Sequence, residues 1–239
     1  MKSILLSAGL GERMKPLTLT TPKPLLKIGD TTLIDHALAQ LQRAGITDVV
    51  INVHHLRDQI IKHCGDGSAF NLKIQYSIED TLLETGGGIF NALPLLGNDP
   101  FLVLSADVWT DFPLQPLVHK KTNGAHLIFV DNPDYHPHGD YSLDVQGLVH
   151  LNAEKKLTYA NIAIIHPNLF NAEKPGIFRL SSVFEKAIEK GCVTGEKYAG
   201  LWRNVGTPRD LMILKPSPCP SPGTPGQGEG FSFSPAPSH

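Results

Sequence analysis

Short apolar runs alternate with segments of helical spacing along most of this chain. Ser3-Ile4-Leu5-Leu6 is a continuous apolar run that stops at a glycine-rich loop, the mark of a parallel strand buried on both faces. Leu33, Ile34, Ala37, Leu38 and Leu41 recur on one helix face, and Gly45 supplies a stop. Asp48–Val53 is rich in β-branched residues and reads as a second buried strand. Residues 56–64 read as a helix, 73–77 as a strand and 87–96 as a helix. Phe101–Ser105 is an apolar strand leading to Asp107, and Ala125–Val130 repeats that pattern. This β-α-β rhythm predicts an α/β fold built on a Rossmann-like, doubly wound and mostly parallel sheet.

The rhythm changes after Asp131. Residues 141–145, 148–151 and 157–165 read as strands joined by short turns such as Gln146-Gly147, which predicts a small antiparallel patch beside the parallel core. Leu180, Val183, Phe184, Ala187 and Ile188 then fit one helix face, closed by Gly191. There is no internal repeat, and no hexapeptide pattern of a β-helix. The composition breaks at residue 215: of the last 25 residues, seven are Pro, five Ser and four Gly. Such a segment has little to bury against the entropy of ordering, so residues 1–214 are expected to form the domain and 215–239 a disordered tail. The abrupt change admits two origins, a native flexible tail or a shifted reading frame.

Composition narrows the function classes. The 239 residues carry 21 Lys+Arg against 23 Asp+Glu, a formal charge of -2, so general attraction to nucleic acid or an anionic membrane is not expected. No apolar run reaches the ~18 residues of a membrane span, and the first residues are broken too soon by Gly and charge for a secretory signal. Cys64, Cys192 and Cys219 are few and widely spaced, as in a cytoplasmic protein with reduced thiols.

The strongest chemical signal follows the first strand: Ala8-Gly9-Leu10-Gly11-Glu12-Arg13-Met14-Lys15-Pro16-Leu17-Thr18, then Thr21-Pro22-Lys23-Pro24-Leu25. Ligands of open α/β sheets sit beyond the carboxyl ends of the strands, where this loop lies. Gly9 and Gly11 let backbone N–H groups approach an anion, while Arg13 and Lys23 add cations. A dinucleotide fingerprint needs a third small residue where Met14 stands, and the phosphate loop's Gly-Lys-Ser/Thr is absent. The expected ligand is a polyphosphate. The 11 His are scattered, and no Ser/His/Asp or Cys/His arrangement for a nucleophilic mechanism emerges.

Gly9-x-Gly11-x-Arg13-Met14-x-Pro16-Leu17-Thr18 with Pro22-Lys23-Pro24-Leu25 resembles the signature of the sugar-1-phosphate nucleotidyltransferases. Leu83-Glu84-Thr85-Gly86-Gly87-Gly88-Ile89-Phe90, Asp107-Val108-Trp109-Thr110-Asp111, Gly139-Asp140-Tyr141 and Val205-Gly206-Thr207 resemble most closely the family's N-acetylmuramate-1-phosphate uridylyltransferases, enzymes of peptidoglycan recycling. The resemblance implies a Mg2+-dependent transfer from UTP to a sugar 1-phosphate, releasing pyrophosphate. It implies catalytic Arg13, Lys23 and Asp107, with Mg2+ on Asp107 and Asn204. Asp is expected at position 204 in the muramate branch; Asn, used by related N-acetylglucosamine-1-phosphate uridylyltransferases, supplies an uncharged carbonyl oxygen. Nucleotide contacts fall on Ala8, Gly9, Gly11, Glu12, Arg13, Lys23, Thr85, Gly86 and Gly87, the glycines bringing backbone groups to the base edge. Sugar-phosphate contacts fall on Glu79, Asp140 and Asn161, so that the antiparallel patch would serve the sugar. The acyltransferase half of fused relatives is missing, which implies a monomer with small-molecule partners alone.

Such a reaction needs no nucleophilic side chain. A phosphate monoester has a second pKa of about 6 and is largely dianionic at neutral pH. Its obstacle is repulsion: two unit charges ~4 Å apart interact by about 4 kcal/mol at an effective dielectric of ~20. Catalysis by positioning and charge neutralisation is therefore expected, Lys23 steadying the α-phosphate and Arg13 with the loop amides holding the departing pyrophosphate.

Overall fold

A computed structural model describes residues 1–152 and 155–214. The tail expected over residues 215–239, with Cys219, lies outside them. In chain order the elements are β1 (Ser3–Leu6), β2 (Lys27–Ile28), β3 (Thr31–Thr32), α1 (Leu33–Arg43), β4 (Asp48–Val53), α2 (Arg57–Cys64), β5 (Lys73–Ile78), α3 (Glu84–Leu96), β6 (Phe101–Ser105) and β7 (Val108–Thr110). There follow β8 (Ala125–Val130), β9 (Ser142–Leu143), β10 (Val149–His150), β11 (Thr158–Ile165), α4 (Leu180–Glu189), β12 (Val193–Lys197), β13 (Trp202–Asn204) and α5 (Pro208–Ile213).

Seven strands form one sheet in the order β12-β8-β11-β6-β1-β4-β5. Hydrogen bonding is parallel in β6-β1-β4-β5 and β8-β12, and antiparallel where β11 meets β6 and β8. Successive strand residues point to opposite faces, and both faces are covered. Leu5, Ile51 and Leu104 pack with Leu38 and Leu41 of α1 and Ile60 of α2. Ile4, Val50 and Val103 pack on the other side with Ile89 and Ala92 of α3 and Val183 and Phe184 of α4. This is the doubly wound arrangement expected from the alternation. Its consequence for function is that the loops after β1, β4 and β6 leave the sheet at the same edge.

Local chemistry sets the helix ends. Thr32 caps α1, its Oγ1 accepting the Asp35 N–H (3.2 Å) while Asp35 Oδ2 accepts the Thr32 N–H (3.3 Å). At the other end Gly45 takes φ 80°, and the Ile46 N–H closes on the Leu41 carbonyl at 3.1 Å.

Three expectations change. The antiparallel patch is smaller than expected, β9 and β10 pairing over two residues each. The run 157–165, expected within it, supplies β11, which is antiparallel but enters the main sheet between β6 and β8. Ala160, Ile162, Ala163, Ile164 and Ile165 are fully buried, and a strand apolar on both sides needs cover on both. Helix α3 begins at Glu84, three residues before the expected start at Gly87, so Gly86 joins Gly87 and Gly88 in its first turns. Strand β12 and the β7–β13 ribbon had no sequence signal. The VTGEK of β12 contains Gly195, where a Cβ would lie 2.6 Å from the Phe129 ring, so close sheet packing took precedence over strand propensity.

Two histidines are buried in this framework. His36 stacks on Trp109 with ring centroids 4.0 Å apart and hydrogen-bonds through Nε2 to the Thr110 carbonyl. Burial lowers its pKa to about 4, outweighing that hydrogen bond. Burial likewise lowers His126 to about 4, with the Lys120 charge acting in the same direction. Both imidazoles are therefore neutral in the folded chain near pH 7. Their folded pKa lies below the unfolded value of 6.5, so the unfolded chain gains protons first as pH falls, and stability is lost between pH 6.5 and about 4. Each group contributes on the order of 3 kcal/mol to that loss. The urea midpoint should fall from pH 7 to pH 4.5, and His36→Gln with His126→Gln should flatten the fall; parallel profiles for variant and wild type would contradict this origin.

Candidate active site

The loop leaving β1 is shaped by Gly11. It sits at φ 64°, where a Cβ would lie 2.7 Å from Thr18 Cγ2 and 3.3 Å from Lys23 Cβ. Its carbonyl accepts the Met14 N–H and the Thr18 hydroxyl, both at 2.8 Å, while the Met14 side chain is buried beneath. Around Gly9 the opposite holds: nothing lies within 4 Å of a Cβ built there. The N–H groups of Gly9, Leu10 and Gly11 donate to no acceptor among the described residues. Gly9 and Gly11 border a cleft of about 310 Å3 that is also lined by Ala8, Glu12, Arg13, Lys23, Thr85 and Asp107. Backbone donors without partners beside two cations form an anion-binding concavity.

Lys23 lies in a single turn between Pro22 and Pro24, which restrict the backbone on either side. Its Nζ donates to Asp107 Oδ2 across the cleft. The pair is 13% and 28% exposed, so neither charge is fully desolvated and water or a ligand can reach both. Asp107 follows β6, and the Ala106 N–H donates to the Leu6 carbonyl (3.0 Å), holding the two strand ends together.

The ribbon of β7 and β13 brings Asn204 to the same place. Asn204 pairs opposite Val108, and the Val205 N–H donates to the Asp107 carbonyl at 2.9 Å. Asp210 at the start of α5 holds the next residues: its Oδ2 accepts from the N–H groups of Gly206 and Thr207 and from the Thr207 hydroxyl, at 2.8 to 3.0 Å. Arg13 lies over Gly206, where a Cβ would stand 3.2 Å from its guanidinium. Asn204 Oδ1 is buried without a hydrogen-bond partner among the described residues. A buried acceptor so placed costs free energy unless something donates to it or it ligates a cation. Asn204 does not itself line the cleft; its backbone lies next to that of Asp107, and an amide oxygen and a carboxylate are both hard donors of the kind that suits Mg2+. No cluster of three or more His, Cys, Asp or Glu competes as a metal site among the described residues.

Other sequence-expected residues fall elsewhere. Glu79 is 1% exposed and lines no part of the cleft. Its Oε1 accepts from Asn52 Nδ2 (2.7 Å) and its Oε2 from the Leu83 N–H (3.0 Å), while Asn52 Oδ1 accepts the Ser7 N–H (2.8 Å). This chain of bonds ties the loop after β1 to β4 and to the start of α3. Asn52, which does line the cleft, was missed in the sequence; its signal was a lone amide in the apolar run Asp48–Val53. Gly86 and Gly87 are buried, and both N–H groups donate to the Phe178 carbonyl at 3.0 Å, so these amides are not free for a base edge. Thr85 lines the cleft, with Glu84, whose φ of 60° was not foreseen.

A second cleft of about 200 Å3 adjoins the first, and Leu6, Glu84 and Thr85 line both. Asp140 and Asn161 meet here, far apart in sequence and joined by the irregular start of β11. Asn161 has φ 58° at the register shift between Tyr159 and Ala163, which turns it out of the ladder. Arg179 and Tyr159 also line this cleft and carried no sequence signal.

Comparison with known proteins agrees with this geometry. Residues 2–158 match the family model described as nucleotidyl transferase. The chain is 42% identical over 216 residues to N-acetylmuramate alpha-1-phosphate uridylyltransferase of Neisseria meningitidis serogroup B, covering 87% of this chain and 94% of that one. It is 31% identical to the enzyme of the same name from Caulobacter vibrioides, covering 87% and 92%. A mannose-1-phosphate guanyltransferase of Aspergillus oryzae is 31% identical over 89% of this chain, which spans 62% of that longer relative. A crystal structure described as a glucose-1-phosphate thymidylyltransferase from Bacillus anthracis superposes with a TM-score of 0.77 at 22% identity, over 89% of this chain and 93% of that one, and shows the shared fold. The β1 loop with its two cations, the strand-end aspartate and these relatives together make the chain a member of the nucleotidyl transferase family, within its sugar-1-phosphate nucleotidyltransferases.

Proposed function

We propose that this protein joins UTP and N-acetylmuramate 1-phosphate into UDP-N-acetylmuramate and pyrophosphate, as a step of peptidoglycan recycling. The observation that carries this reading is the meeting of unpartnered loop amides, Arg13, Lys23 and Asp107 around one cleft that opens into a second, less charged one. The 42% identity to a protein named for that reaction supports the choice of base and sugar.

A phosphate oxygen of the sugar 1-phosphate forms a bond to the α-phosphorus of UTP. The bond from that phosphorus to the α–β bridging oxygen breaks, and its electron pair leaves with pyrophosphate. The attacking oxygen is already deprotonated, so no side chain need remove a proton. Gly9 and Gly11 donate their amides to the β- and γ-phosphates, and Arg13 grips the same group from the other side. Lys23 donates to the α-phosphate as negative charge shifts towards the leaving group. Asp107 and Asn204 would hold Mg2+, which when bound lowers the repulsion between the two phosphates. Lys23 and Asp107 each have a ligand of opposite charge to take up, and pairing with each other keeps both from being bare charges before substrate arrives.

Incubating the full chain with Mg2+, each of four nucleoside triphosphates and a panel of sugar 1-phosphates should release pyrophosphate most rapidly with UTP and N-acetylmuramate 1-phosphate. A preference for GTP with mannose 1-phosphate would move the assignment to the guanyltransferase relatives. Asp107→Ala should lower turnover by on the order of 10³-fold while leaving the unfolding midpoint close to wild type. Substantial Mg2+-dependent turnover in that variant would refute the role of Asp107. Lys23→Ala should lower kcat by roughly 10²-fold and raise KM for UTP far less; a change confined to KM would make Lys23 a ground-state binding residue.

A further inference from the structure

The second cleft carries a charge that the reaction centre does not use. Arg13 and Lys23 line the first cleft only, and among the described residues Arg179 is the one cationic side chain lining the second. Its guanidinium has no hydrogen-bond or ion-pair partner among the described residues, although Glu84 and Asp140 line the same space. Asp140 is already engaged, its Oδ2 accepting the Tyr159 N–H at 2.8 Å and its Oδ1 meeting His136 Nε2 at 3.1 Å. The Tyr159 hydroxyl on the same wall is buried and unpartnered, and burial raises its pKa, so it stays a neutral donor. That hydroxyl is sealed from the cleft, so the wall presents one planar cation with nothing among the described residues to receive it.

Arg179 is delivered there by the glycine run of α3. The residues on either side of it are held by the first turn of that helix: the Phe178 carbonyl accepts from Gly86 and Gly87, and the Leu180 N–H donates to Thr85 Oγ1 at 3.1 Å. A Cβ on Gly86 would lie 2.6 Å from the Phe178 ring and 2.8 Å from the Arg179 carbonyl carbon, and one on Gly87 would lie 2.2 Å from the Gly176 oxygen. The glycines are thus a socket for residues 176–180, and the socket fixes where Arg179 enters the cleft.

We infer that Arg179 pairs with a carboxylate borne by the sugar ring, and so determines specificity for an acidic over a neutral sugar 1-phosphate. The inference rests on the reading of the reaction given above. The sugar's phosphate is bound for the first cleft, where the other cations and Asp107 lie, so a cation on the far wall answers a second anion. A guanidinium matches a carboxylate through two parallel N–H···O bonds, and N-acetylmuramate differs from N-acetylglucosamine by a carboxylate-bearing ether.

The test compares wild type, Arg179→Gln and Arg179→Lys with UTP and either N-acetylmuramate 1-phosphate or N-acetylglucosamine 1-phosphate. Arg179→Gln should lower kcat/KM for the acidic sugar about tenfold or more, mainly through KM, and leave the neutral sugar within about twofold. Arg179→Lys, which keeps the charge but not the fork, should fall between. Equal losses on both sugars would assign Arg179 to the phosphate, and no loss on either would leave it a surface residue; each overturns the inference. Calorimetric titration of N-acetylmuramate 1-phosphate reads the same pairing without turnover. If wild type turns over neither sugar, the proposed reaction fails; the inference then stands only if wild type binds the acidic sugar about tenfold or more tighter than Arg179→Gln does.

Discussion

The ion pair between Lys23 and Asp107 spans the gap between the loop after β1 and the end of β6, and the site is organised around keeping its halves within reach. Lys23 is held by flanking prolines and by the tight packing of Gly11 against Thr18. Asp107 is held by the Ala106 bond to Leu6 on one side and by the β13 ribbon on the other. Each partner satisfies the other at low cost, because both remain open to the cleft rather than sealed in the core. A fully buried pair would resist the exchange of partners that a charged ligand demands.

Behind this pair lies a second polar system that borders the cleft through Ser7 and Asn52, while its carboxylate, Glu79, does not. Glu79 is the one buried carboxylate among the described residues, and it is held by donors from Asn52 and Leu83 rather than by a cation. Its bonds run from the start of α3 to the Ser7 amide by way of Asn52. A hydrogen-bonded buried network of this kind holds its members to one geometry, since losing any bond strands a polar group away from water. Here it connects the anion-binding loop with the helix that seats residues 176–180. The two clefts are therefore set by one framework.

Much of the site was readable because its signals are local. The strand-then-glycine order of Ser3 to Gly11, with Arg13 and Lys23, specifies a loop geometry within about two dozen residues. Strand β6 likewise announces its end through an apolar run followed by Asp107. The glycine run was read as a motif, but its mode of action was not: its neighbours 176–179 lie some 90 residues away, and only the fold shows that the missing Cβ atoms make room for backbone. Asn161 was named, yet its left-handed conformation at a bulge could not be read from an apolar-looking strand.

The linear chain by itself settled the alternation of buried strands and amphipathic helices, the anion-seeking loop and the strand-end carboxylate, because each depends on residues that are neighbours in sequence. Tertiary structure alone decided that β11 runs inside the sheet, that the backbone of Asn204 lies beside that of Asp107 with its side-chain oxygen unpaired among the described residues, and that Arg179 reaches the second cleft. Those outcomes come from covering apolar faces and closing backbone bonds between distant segments. Such long-range pairings are chosen by the whole fold and leave no periodicity in the sequence.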